Sequence, residues 1–222
     1  MLPEISIRSH SSDQFLLDRI LYSNSYRINN LLPNSTVVDI GANFGAFCIN
    51  AQIRGAEKIY AFEPFQHNYE VLIKNLNQFC KNYRSYQLGV SNSSGFFPMS
   101  DPELINNAFY DTSNLKISES GNFSYFCTLD EALSVIPEKI HLLKISAPNV
   151  LEILENSSKL FLCDNLCLEL ENVSQSDSED ILSKVKKKGS FLDCEISRNS
   201  EKTTLYKFSK TDTNICFLKY NN

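Results

Sequence analysis

Residues 37–64, VVDIGANFGAFCINAQIRGAEKIYAFEP, restrict the possible folds more than any other part of the chain. The β-branched run that leads into Asp39 and Ile40 predicts a buried strand over 37–40. Gly41, Ala42, Asn43 and Gly45 then form a turn of small residues. Phe44, Phe47, Cys48 and Ala51 follow at helical spacing, and Gly55 is a stop signal for a helix over 44–54. A second strand over 58–62 runs into Glu63. The result is a strand, turn, helix and strand unit with a carboxylate at the tip of its second strand.

The alternation continues downstream. After Pro64 an apolar face of Tyr69, Leu72, Ile73, Leu76 and Phe79 predicts a helix, and a strand is expected over 86–90. Residues 91–122 are rich in Ser, Asn and Gly and predict a loop or loose hairpin. A short strand over 123–127 leads to Thr128, with Glu131 three residues on as a helix-start signal. Strands over 140–145 and 166–170 and helices over 150–156 and 178–188 come next. A hairpin of 191–196 and 203–208 turns at Arg198 and Asn199, and an apolar strand over 215–218 closes the chain. Near the start, Phe15, Leu16, Ile20 and Leu21 predict a helix over 13–32 packed beside the sheet. This order argues an α/β fold: a mostly parallel sheet covered on both faces, with an antiparallel edge from the closing hairpin. It divides the chain into a helical segment, 1–35, and one sheet-bearing domain, 36–222.

Bulk properties remove several functions. With 222 residues the chain can bury a core of its own, and 42% hydrophobic residues with 21% charge are ordinary for a folded domain. The net charge of -5 and pI near 5.3 give no basic footprint, which disfavours nucleic acid as the main partner. Apolar runs fall short of the roughly 18 residues of a membrane span, and residues 1–15 carry no secretory signal pattern. Seven scattered cysteines read as buried thiols of a cytoplasmic protein, and Cys163 with Cys167 lacks the further ligands of a metal site.

The turn carries the first chemistry. A nucleoside cofactor must approach the backbone where strand one meets helix one, and Gly41, Ala42 and Gly45 lower the steric barrier there. Asp39 at the strand end can accept from turn N–H groups or from a ligand ammonium. Glu63 stands 22 residues past Gly41, where a carboxylate reaches ribose hydroxyls and repels a 2′-phosphate. The turn reads G-A-N-F-G, with Asn43 where a pyrophosphate-binding turn has its second glycine. A cofactor without phosphates, S-adenosylmethionine, fits this better than a dinucleotide.

The blocks VVDIGANFGAF and AFEPFQHNYEVL, with the later TLDEAL and LLKI, resemble the FkbM-type methyltransferases. The resemblance runs from about 36 to 171. It implies a Rossmann-like, doubly wound, seven-stranded sheet and an S-adenosylmethionine-dependent enzyme that methylates hydroxyls of small molecules or saccharides. By resemblance, Asp39, Gly41, Ala42, Asn43, Gly45, Glu63, Pro64 and Val90 line the donor site.

The chain also departs from that family, which reads K-I-D-V-E-G after its fourth strand. Here Lys144 and Ile145 are kept, but Ser146, Pro148 and Asn149 replace the Asp, Glu and Gly. Methyl transfer to oxygen needs an aligned acceptor and a group to take its proton. Lys144 and Glu169 are the remaining candidates, Glu169 sharing a strand face with Glu171. Two readings therefore stand: a methyltransferase with altered acceptor chemistry, or a catalytically impaired binding or scaffold relative. An RNA methyltransferase is a third reading, disfavoured by the acidic charge. His67 reads as exposed, His141 as a satisfied core histidine, and Lys184 with Lys186 to Lys188 as a solvated helix end.

Overall fold

The computed structural model describes residues 4–9, 11–99, 122–147, 150–171, 175–198 and 203–210. In chain order its elements are α1 (Asp13–Leu17), β1 (Thr36–Ile40), α2 (Ala46–Ile53), β2 (Lys58–Phe62), α3 (Gln66–Phe79), β3 (Tyr83–Tyr86), β4 (Gly89–Ser91) and β5 (Gly95–Met99). Then come β6 (Asn122–Thr128), α4 (Leu129–Ser134), β7 (Ile140–Ile145), α5 (Val150–Asn156), β8 (Cys163–Glu171), α6 (Gln175–Gly189), β9 (Asp193–Arg198) and β10 (Thr203–Ser209).

Seven strands pair in the order β3-β2-β1-β7-β8-β10-β9. β10 is antiparallel to both neighbours, so the other six strands run one way. The closing hairpin makes the antiparallel end of the sheet, as expected. Its second strand inserts between β8 and β9, and β9 forms the edge.

Neighbouring residues of each strand serve opposite faces, as the pleat requires. Val37, Ile59, Leu142 and Leu205 pack with α1, α2 and α3, and Val38, Tyr60, Leu143 and Phe208 pack with α4, α5 and α6. Both faces are covered, which explains why β1 is buried along its whole length. Thr128 caps α4 as expected: its hydroxyl accepts from Glu131 N while the Glu131 carboxylate accepts from Thr128 N.

Three expectations need correction. The helix over 13–32 is short: α1 widens into a π turn at Asp18–Tyr22 and stops, because Asn24 and Arg27 adopt φ of 45° and 53°. Phe15, expected on its packed face, is 61% exposed, while Leu16, Leu17 and Ile20 are buried. The third strand splits into β3, in the main sheet, and β4, which joins a separate sheet ordered β4-β6-β5. Part of the expected loop, Gly95–Met99, is a strand of that sheet, whose hairpin realises the alternative reading of this region. A side chain at Gly89 would meet the Phe126 ring, so glycine lets β4 and β6 close up. The strand expected over 215–218 lies outside the described residues.

Candidate functional site

The strand order reverses between β1 and β7, and the site is built on the C-terminal tips beside that switch point. Leaving β1, Gly41 N and Ala42 N both donate to Phe62 O at 3.0 Å, tying the turn to β2. Gly41, Asn43 and Gly45 take φ of 76°, 52° and 93°, so the turn winds through left-handed backbone that glycine tolerates best. Packing makes its own demand on the glycines. A Cβ on Gly41 would stand 1.9 Å from the Ser146 carbonyl oxygen, and one on Gly45 would stand 2.9 Å from Leu72 Cδ1. Their bare backbone admits β7 and α3, so packing within the protein already demands them.

Glu63 reaches the turn. Its Oε2 accepts from Asn43 N at 2.8 Å, and its Oε1 accepts from Phe65 N at 3.1 Å and Asn68 Nδ2 at 3.0 Å. A carboxylate offers about four lone-pair sites, so these three donors leave one, on Oε2. The side chain lies in a residue only 3% exposed. Burial raises its carboxyl above the ordinary carboxylate range; the N–H donors of Phe65, Asn43 and Asn68, and the Arg8 charge, pull it back.

Arg8, which no motif singles out, sits on this cluster. Its Nη2 donates to Asn43 Oδ1 at 2.8 Å and its Nη1 to Asn68 Oδ1, while Nε reaches Asp13 Oδ2 at 2.9 Å. Asp13 is wholly buried and also pairs with Nη2. The sequence did hold a signal for Asn68: with Asn75, it is an amide on the apolar stripe of α3, and both are buried there.

Asp39 and Lys144 lie beneath the turn. Lys144 Nζ donates to Asp39 Oδ1 and to Gly41 O, each at 2.9 Å, and Asp39 Oδ2 accepts from Cys48 Sγ at 3.2 Å. Asp39 is fully buried and Lys144 is 4% exposed. The pair clamps β7 to β1 and the turn from below, and Asp39 holds Lys144 rather than turn N–H groups.

The tips of β7 and β8 form a second polar cluster. Ser146 Oγ donates to Glu169 Oε2 at 3.2 Å, Tyr26 Oη to the same oxygen at 2.5 Å, and Arg19 Nη2 to Oε1 at 2.6 Å. Glu169 is buried, and burial with the Glu169 charge pushes the Tyr26 phenol well above its ordinary range. Arg19 and Tyr26 were not expected; they come from a segment far away in sequence. Pro148 and Asn149 lie outside the described residues, as does the Glu171 side chain.

Other expected residues take varied places. Pro64 O accepts from Ser124 Oγ at 2.8 Å, which hangs the small sheet on the β2 tip. Val90 is buried beside Phe62, from β4 rather than from a main-sheet strand. His67 is exposed, and His141 Nδ1 accepts from Thr36 N at 3.0 Å. Lys184 pairs with Glu155 and Asp180, and Lys188 donates to carbonyls at the end of α5. Burial pushes the thiols of Cys80 and Cys163 up to about 12. Among the described residues no helix is long and apolar enough to cross a membrane.

No protein-family model matches the chain. The chain is 37% identical over 89 residues to the methyltransferase sdnD of Sordaria araneosa, 39% of this chain and 34% of that protein. It thus spans about a third of the length of the relative it matches. Among solved structures it resembles TrmK from M. capricolum in complex with S-adenosyl-homocysteine, with a TM-score of 0.50 and 13% identity over 94% of this chain and 72% of that one. The chain has the Rossmann-like methyltransferase fold. A candidate rRNA methylase from Clostridium thermocellum, at TM-score 0.50 and 10% identity over 93% of this chain and 100% of that one, shares the architecture. These methyltransferase-fold neighbours speak to the sheet and its order alone.

Proposed function

We propose that this protein is an S-adenosylmethionine-dependent methyltransferase of the FkbM type that methylates a hydroxyl of a small molecule or saccharide. The observation that carries the reading is the contact of Glu63 with Asn43 N, which joins the β2 carboxylate to the glycine turn. The similarity to a methyltransferase over 89 residues supports it. The residues fit the donor: Glu63 keeps one lone-pair site, on Oε2, for a ribose hydroxyl. Asn43, Gly45 and the Glu63–Pro64 tip would border the adenosyl group, with Gly41 and Ala42 holding the turn and Val90 behind it. Asp39 and Lys144 would support the turn from below. When bound, S-adenosylmethionine supplies an electrophilic methyl on sulfur. The acceptor would lie over the β7 and β8 tips, where Ser146 presents a hydroxyl backed by Glu169. Domain 36–222 would bind the donor, and the segment 1–35 would wall both sites.

The test is titration with S-adenosylmethionine and S-adenosylhomocysteine. Saturable binding of both supports the reading, and no heat at millimolar ligand rejects it. A second reading, donor binding without turnover, has its own support: three protein donors already occupy Glu169, and a serine stands at the β7 tip. Methyl transfer to any hydroxyl acceptor, lost in Glu63→Ala, would exclude that second reading. The rRNA-methylase neighbours share only architecture, and a net charge of -5 weighs against an RNA acceptor.

A further inference from the structure

Arg8 makes more contacts with the donor-side cluster than its place in a leading, irregular segment would require. Its guanidinium spans two amide oxygens, Asn43 Oδ1 and Asn68 Oδ1, and its other edge is held by the buried Asp13. The Arg8 backbone N–H also donates to Asp13 Oδ2 at 2.9 Å, so the arginine is fixed at both ends of its side chain. The same segment is anchored to α3: Ser6 N donates to Asn75 Oδ1 at 2.8 Å, and Asn75 Nδ2 donates to Ser6 O and to Phe44 O.

The two asparagines Arg8 engages are those that give donors to Glu63, Asn68 from its side-chain amide and Asn43 from its backbone N–H. With its oxygen committed to Arg8, Asn68 must point Nδ2 at Glu63, as it does at 3.0 Å. With Asn43 Oδ1 likewise committed, the turn residue is held in the left-handed conformation that aims its N–H at Glu63 Oε2. A planar fork can serve two acceptors at a fixed separation in a way an ammonium cannot. We propose that Arg8 is a positioning residue of the donor site, acting on Glu63 through Asn43 and Asn68. The proposal rests on the donor-site reading above.

The charged surroundings bear on its test. Glu63 faces Arg8 from the leading segment, with Asp13 of α1 behind it; from β1, Asp39 is held by Lys144, and His67 of α3 is exposed. Removing the Arg8 charge would leave burial less opposed, so Glu63 would take up a proton at higher pH.

The experiment is calorimetric titration of the full chain with S-adenosylhomocysteine across roughly pH 5 to 8, comparing wild type with Arg8→Ala and Arg8→Lys. Arg8→Ala weakens binding about tenfold to a hundredfold near neutral pH, and its acid-side loss of affinity moves to higher pH. Arg8→Lys keeps the charge without the fork, so it restores the acid-side midpoint and only part of the affinity. A merely structural arginine would lower thermal stability without moving that midpoint. If Arg8→Ala does not fold, Asn68→Ala breaks the same relay beyond the arginine and is expected to weaken binding in the same sense. Wild-type binding with Arg8→Ala within about twofold and an unmoved midpoint overturns the role of Arg8 alone. Absence of wild-type binding overturns the donor-site reading and the Arg8 role together.

Discussion

Two carboxylates on the same sheet, Glu63 after β2 and Glu169 on β8, each carry three protein donors, yet they are assembled in different ways. Glu63 draws its donors from Asn43, Phe65 and Asn68, at sequence separations of 20, 2 and 5. Glu169 draws on Arg19, Tyr26 and Ser146, at separations of 150, 143 and 23. The donors of Glu63 are two backbone N–H groups and one amide, which keep a carboxylate in place. Those of Glu169 include a guanidinium, which neutralises it. The first arrangement leaves one carboxylate lone pair open, which on the proposed reading takes an external hydroxyl, and the second ties a distant segment down across the sheet. Burial alone does not separate a binding group from a fastening one; the chemistry of the donors does.

The two regions meet at the switch point, and the largest expected effect lies there. Gly41→Ala would drive a methyl into the Ser146 carbonyl, which belongs to backbone and cannot swing aside. Unfolding in denaturant should show a loss of about 4 kcal/mol or more, with both regions disrupted together. Arg19→Ala sharpens the contrast instead. It leaves Glu169 buried without its counter-charge and should cost about 3 kcal/mol, while affinity for S-adenosylhomocysteine in the folded protein stays unchanged. A matching loss of donor affinity would break the distinction between the two clusters.

Glu63→Gln should do the reverse, weakening donor binding by about 2 kcal/mol with the fold intact, as titration would read. Its pH behaviour has a definite sign. Burial raises Glu63 above the ordinary 4.5, so the native state takes up this proton before the unfolded chain does. The stability contribution is therefore full below 4.5 and is lost as pH rises through the raised value. Donor affinity runs the opposite way, since a ribose hydroxyl needs the ionised carboxylate as acceptor. Subtracting the Glu63→Gln stability curve from that of wild type isolates this group from Glu131 and Glu138, whose carboxyls are held low. The smallest effect is Thr128→Ala, which removes the side-chain cap of α4. It should cost about 1 kcal/mol by denaturation and leave both carboxylates untouched.

The same contrast in sequence distance explains what could be read beforehand. β1, α2 and β2 are adjacent in sequence and packed on each other, so apolar period and turn residues located them and the Glu63 tip. Gly41 stood out in the sequence for close backbone approach, and the group that approaches it within the fold is the carbonyl of Ser146, a residue far along the chain. Only tertiary structure could supply that neighbour. Arg19 and Tyr26 lie in a stretch whose helical period suggested one long helix, and positive φ at Asn24 and Arg27 turns it instead toward β8. The place of β10 between β8 and β9 is likewise a matter of pairing order, which strand pattern leaves open. Phe47 links the halves without any motif: the Tyr26 ring meets it edge-on at 4.9 Å, and Lys144 Nζ lies 5.7 Å from its centre.

The most direct measurement of the donor site is the amide spectrum of protein labelled at its 7 glycines, recorded as S-adenosylhomocysteine is added. The account predicts saturable shifts of the Gly41 and Gly45 resonances, with Gly95 and Gly189 unmoved. Saturable movement of other glycines while Gly41 and Gly45 stay fixed would contradict it, as would a spectrum indifferent to millimolar ligand.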